Sequence, residues 1–154
     1  MSLPSRNPRR YEHGVAALEF AIALPLLLLL LMATAELGRL LSQYDTLEKG
    51  VRDGARYLAS KALVGTTQVV SITPALQTQT ANLVFTGNTT GSGAPLLPGL
   101  TAASVTASAA ANGYISVTAT YTYQPILARL PTFGLTAPIS LALPVTATVN
   151  MRPL

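Results

Sequence analysis

Hydrophobic and polar positions divide the chain into four stretches. Residues 1–14, MSLPSRNPRRYEHG, are polar, carry Pro4 and Pro8 and show no hydrophobic period, so they read as a short disordered leader. Residues 15–35 are apolar except for Glu19 and Thr34 and include the leucine run Leu26–Leu31. As a helix this stretch would be about 31 Å long, the thickness of a bilayer hydrocarbon core, and it reads as a membrane span despite Pro25. In residues 36–60 the pattern becomes amphipathic: Leu37, Leu40, Tyr44, Leu47, Val51, Gly54 and Leu58 recur at alternating spacings of three and four, the seam of a helix with one buried face. The polar side offers Glu36 with Arg39, Asp45 with Lys49, Glu48 with Arg52 and Asp53 with Arg56. These spacings suit intrahelical ion pairs, each contributing a few tenths of a kcal/mol. With no proline between Leu26 and Ser60, span and seam are expected to form one helix of about 45 residues at normal helical geometry. Gly50 and Gly54 have the spacing that permits close helix approach, but outside the membrane the plainer reading is favoured, that the two glycines merely weaken the helix.

From residue 61 to residue 154 the chain turns to Thr, Ala, Val, Gly and Pro. Thr73-Pro74 reads as an N-cap followed by proline at the first helical position, predicting a short helix over 74–81. Asn82 to Phe85 reads as a strand stopped by Gly87-Asn88, and residues 87–101 as a turn-rich loop. Val105, Ala107 and Ala109 alternate with polar or small residues. Beyond Asn112-Gly113, Ile115, Val117, Ala119, Tyr121 and Tyr123 share one face of a strand, and Ser116, Thr118, Thr120 and Thr122 the other. A turn at Asn112-Gly113 would make 104–123 a β-hairpin. A last strand is expected from Ile139 to Met151, with Pro144 marking an edge or a bulge. The fold class is therefore α+β: a long N-terminal helix, membrane-spanning in its first half and amphipathic in its second, followed by a small antiparallel sheet packed on the helix seam.

Charge narrows the function classes. Only 10% of residues are charged, against about 25% in ordinary soluble domains. All six acidic residues lie between Glu12 and Asp53, and beyond Lys61 the only ionic side chains are Arg129 and Arg152. General acid–base catalysis needs a titratable group at the reacting atom, and metal binding needs imidazole, thiolate or carboxylate ligands. Residues 62–154 contain no Asp, Glu, His, Lys or Cys. No enzyme, cofactor, metal site or small-molecule substrate is expected there, and two arginines are too few for a nucleic-acid backbone. Arg6, Arg9 and Arg10 before the span predict a cytoplasmic N-terminus.

Weaker signals have plain readings. Asn88-Thr89-Thr90 fits a glycosylation sequon but falls in a threonine-rich loop. Tyr121, Tyr123 and Phe133 could form a contact surface, yet Tyr121 and Tyr123 share the apolar face of a strand and are expected in the core. His13 reads as a solvated leader residue beside Gly14, and Arg129 and Arg152 as surface charges.

Glu19 is the most informative residue. A carboxylate in the centre of a span costs roughly 2.5–3.5 kcal/mol on insertion scales and ordinarily has a partner; nearer the interface it can instead reach water. Basic residues, then Gly14, four residues, Glu19-Phe20 and an unbroken apolar run resemble a type IV pilin-like processing site. More narrowly, that G-x-x-x-x-E-F site, the leucine-rich span with proline, Glu36-Leu37-Gly38-Arg39, and the RDGARY run at 52–57 resemble the TadE-like family, minor pilin-like proteins of the tight-adherence (Tad) pilus assembly system. NLVFTGN, PLLPGL and YISVTATYTYQPIL in the tail add a weaker likeness.

The resemblance implies a precursor cut between Gly14 and Val15 by a membrane prepilin peptidase, with Glu19 and Phe20 serving assembly. Glu19 would become the fifth residue of the mature chain, where its carboxylate could neutralise the α-amino group of a neighbouring subunit. The implied partners are the peptidase, other pilin-like subunits with their assembly machinery, and membrane lipid. The implied place is the bacterial inner membrane, single-pass, with the C-terminal domain periplasmic, and the implied role is pilus biogenesis, adherence and biofilm formation. Two other readings compete. Ala33-Thr34-Ala35 fits a signal-peptidase site that would release a secreted, adhesin-like module beginning at Glu36. Alternatively the span is an uncleaved anchor for an extracytoplasmic binding domain.

Overall fold

The computed structural model describes residues 9–65, 69–110, 113–126, 129–130 and 139–154; within these, the side chains of 9–13, 64, 130 and 139 are excepted. Arg6, Asn112 and Phe133 lie outside the described residues, as do the side chains of Arg9, Arg10 and His13. In chain order the elements are α1 (Arg9–Lys61), β1 (Leu63–Val64), β2 (Val69–Val70), α2 (Pro74–Thr86), a 3-10 turn (Ala102–Ser104), β3 (Val105–Ala109), β4 (Ile115–Thr122), β5 (Arg129–Leu130), β6 (Ile139–Ser140) and β7 (Pro144–Met151). The chain divides into two compact units, Met1–Gly38 and Arg39–Leu154.

The long helix forms as the pattern requires and starts earlier than expected. Helix α1 begins at Arg9, so the disordered leader does not hold for residues 9–14. Pro8 suits the position just before a helix, and nothing from Arg9 to Tyr11 interrupts one. In the first unit the side chains from Val15 to Leu28 are exposed, Phe20 to 60%, and Leu30 beyond them to 65%. Thr34 donates its hydroxyl to the carbonyls of Leu30 and Leu31, which lets a polar side chain sit in an apolar run.

In the second unit the rest of α1 is the floor of the core. Leu47, Val51, Ala55, Leu58 and Ala59 are buried together with Leu76 and Val84 of α2, Ile115, Val117, Ala119 and Tyr121 of β4, and Ala147 of β7. The expected seam is shifted at its start: Leu37 is 55% exposed and Tyr44 37%, whereas Leu47 is 2%. Gln43 takes the place beside the sheet that Tyr44 was expected to hold, accepting a 2.9 Å hydrogen bond from the Tyr121 hydroxyl. This satisfies the polar end of a buried ring. Asp45–Lys49 and Glu48–Arg52 form as ion pairs. Asp53 and Arg56, both exposed, make none among the described residues.

Helix α2 corrects the expected strand at 82–85. It runs through to Thr86, because Leu76, Thr80, Ala81 and Val84 form one buried helical face; tertiary packing overrides the strand preference of Val84 and Phe85. Thr73 caps it, its hydroxyl accepting from the Leu76 N–H, and Gly87 ends it at φ 77°. Gly87 is thus a helix C-cap, not a strand stop. Against this face lie Gly50 and Gly54. A Cβ at Gly54 would come within 2.6 Å of Val84 Cγ2, and one at Gly50 within 3.3 Å of the Val84 carbonyl oxygen. Close helix approach is therefore what these glycines provide.

The sheet order is β3-β4-β7, antiparallel throughout. The hairpin expected over 104–123 forms, its strands joined by residues 110–114, with Ala110 N–H donating to the Tyr114 carbonyl at 2.7 Å. The last strand is split: β6 pairs with β5, and β7 begins at Pro144 and forms a sheet edge, as a residue without an N–H allows. Apolar faces of β4 and β7 turn to α1. On the opposite face Thr118 meets Thr148 at 3.0 Å and Thr120 meets Thr146 at 3.3 Å.

Candidate functional site

Gly14, Val15, Glu19 and Phe20 all lie on α1, within its first four turns. Glu19 follows Val15 by four residues, so the two share a face one turn apart, and Gly14 lies about 7.5 Å from Glu19 along the axis. All four are exposed. A Cβ built at Gly14 would meet nothing within 4 Å, so its backbone is open on the side a side chain would cover. Glu19 is the only ionic residue from Val15 to Ala35, and among the described residues it has no hydrogen-bond or ion-pair partner. Pro25 leaves the Ala21 carbonyl without its helical donor. The helix passes through Ala33-Thr34-Ala35 without a break.

From Gly14 onward α1 is long and apolar enough to cross a membrane, and none of its most apolar stretch is buried in the protein. One such helix fits a single-pass membrane protein.

A half-open cleft of about 440 Å³ is lined by Ser104, Thr120, Thr122, Gln124 and neighbours, with no charged side chain. Among the described residues no cluster of His, Cys, Asp and Glu could hold a metal. Tyr121 and Tyr123 are core residues, each 2% exposed, while Arg129 and Arg152 are exposed. Asn88 is committed to its own loop: its amide donates to the Ser92 carbonyl and accepts from Thr90 and the Ser92 N–H. Sequence reasoning missed Gln43 because a glutamine beside a seam carries no periodic signal.

Comparison with known proteins bears on the first third of the chain. No curated protein and no solved structure matches it. Residues 14–56 match the family model described as TadE-like protein, the family that the Gly14, Glu19-Phe20 and RDGARY motifs resemble.

Proposed function

We propose that the chain is a minor pilin-like component of Tad pilus biogenesis, released from its leader between Gly14 and Val15 by a prepilin peptidase. The observation that carries this reading is one unpartnered carboxylate, Glu19, five residues beyond an open glycine on an exposed apolar helix. The TadE-like match over the same stretch supports it. Residues 15–35 hold the subunit in the bacterial inner membrane, and the sheet unit lies on the periplasmic side. Phe20 beside Glu19 offers an aromatic contact to a neighbouring helix. The chain itself performs no chemistry; the peptidase cuts it, and pilin-like subunits and the assembly machinery receive it. Deleting the chain from its host should abolish Tad-dependent pili and surface attachment, and supplying it in trans should restore both. Undiminished piliation in the deletion strain would contradict the role.

A further inference from the structure

Two bonds fix which way β4 runs against α1. At one end the Leu154 N–H, just beyond β7, donates to the Ala59 carbonyl, and β7 ends beside the start of β4, Met151 pairing with Ile115. At the other end the Tyr121 hydroxyl donates to Gln43. β4 therefore descends toward Arg39, the first residue of the second unit. The two strand residues from Tyr121 to Tyr123 span about 7 Å and the four helical residues from Gln43 to Arg39 about 6 Å, so Tyr123 lies near the level of Arg39. Leu143 is held beside it, its carbonyl accepting from the Tyr123 N–H, and Ile126 follows three residues on. Both are exposed, Ile126 to 76% and Leu143 to 47%, as is Leu41 on α1 at 59%. Between Ile126 and Leu143 the only ionic side chain is Arg129, which is exposed and pairs in register with Ser140. No acidic side chain occurs beyond Asp53, and Asp45 is held by Lys49 at 2.7 Å.

We propose that this end of the unit is a second membrane contact: Ile126, Leu143 and Leu41 rest on the lipid surface that α1 enters, and Arg129 meets its phosphates. The tether decides the occupant. α1 is continuous from Arg39 back to Ala35, four helical residues or about 6 Å. Headgroups add about 5–7 Å to each side of the hydrocarbon core, so at any angle between the two units Arg39 stays within or beside that layer. A neighbouring helix, about 10–12 Å across with its side chains, does not fit in such a gap. Exposed aliphatic side chains with a lone arginine suit a lipid surface. The apolar groups leave water for the acyl boundary, and the cation meets anionic headgroups without repulsion from an unpaired acid beside it. The span holds the chain in the membrane; this contact holds the sheet unit down on it. It requires the span but no pilus.

The test uses the full chain, which has no cysteine, in vesicles of equal parts phosphatidylcholine and phosphatidylglycerol. A nitrobenzoxadiazole fluorophore on Ile126→Cys should be quenched severalfold more by lipids carrying a shallow nitroxide than the same fluorophore on Tyr114→Cys. Tyr114 is also exposed, but it precedes Tyr121 by about 23 Å of strand, on the side away from Arg39. Arg129→Glu with Leu143→Glu changes two exposed positions, sets like charge against the lipid, and should cut the quenching at 126 severalfold. Quenching at 126 no greater than at 114 would overturn the proposal. So would quenching that survives the two glutamates, the result for a unit tethered near the bilayer without touching it. A fluorophore at 126 shielded from aqueous iodide only at high protein-to-lipid ratio would place a neighbouring subunit on this surface and overturn it as well.

Discussion

Glu19→Ala is expected to leave the protein made and held in the membrane while pilus assembly falls to background. A carboxylate in an apolar span opposes insertion, by up to roughly 2.5–3.5 kcal/mol at the centre and less toward the end where Glu19 lies, so its removal makes residues 15–35 a better membrane segment. Loss of assembly in this variant could not then be ascribed to loss of the anchor. What disappears is the one charge between Val15 and Ala35 able to pair with a cleaved N-terminus. In a low-dielectric bundle such a pair favours one axial stagger of neighbouring helices over others. Glu19→Gln keeps the shape and hydrogen-bonding capacity but not the charge, and should fail to the same degree. Filament counts and surface attachment, set beside the amount of protein in the membrane fraction, are the readouts. Normal piliation by either variant would contradict the assembly role assigned to Glu19.

Gly54→Ala should destabilise the second unit even though alanine is the better helix former. Replacing glycine in a helix ordinarily gains about 1 kcal/mol. Here the new methyl would lie 2.6 Å from Val84 Cγ2. Val84 cannot readily yield, since it is 1% exposed and β-branched side chains are stiff. Overpacking of this kind costs about 1–3 kcal/mol, so the net effect is a loss of up to about 2 kcal/mol. Shortening the obstacle reverses the sign: in a Val84→Ala background, Gly54→Ala should be neutral or stabilising. Thermal unfolding of the four proteins in detergent, followed by circular dichroism, measures this coupling. Additive effects would mean that the helices do not approach as closely at Gly54 as the structure has them.

Elements with a long period were legible from the sequence, and those decided by a tertiary neighbour were not. The continuous helix followed from the absence of proline after Pro25, and β4 from five alternating apolar positions ending at Tyr123. The strand expected over 82–85 failed because Leu83-Val84-Phe85 reads as β-forming in isolation, whereas Val84 is fixed by the two glycines it packs against. The same contact gives Gly50 and Gly54 a role that local helix propensity alone would count as a weakness. Tyr44 and Gln43 are adjacent, and only the position of Tyr121 decides which of them turns inward. Of the candidate site, Gly14, Val15, Glu19 and Phe20 were visible because a lone carboxylate in an apolar run stands out. The hydrogen-bonding phase of β7 was not legible, because it leaves no trace in the side-chain pattern of a strand.

The central claim is that the chain is a processed pilin-like subunit, and the N-terminal sequence and intact mass of the membrane-extracted protein from its own host test it most directly. The account predicts a chain beginning at Val15. A soluble chain beginning at Glu36, or a membrane-bound chain that still carries residues 1–14, would contradict it.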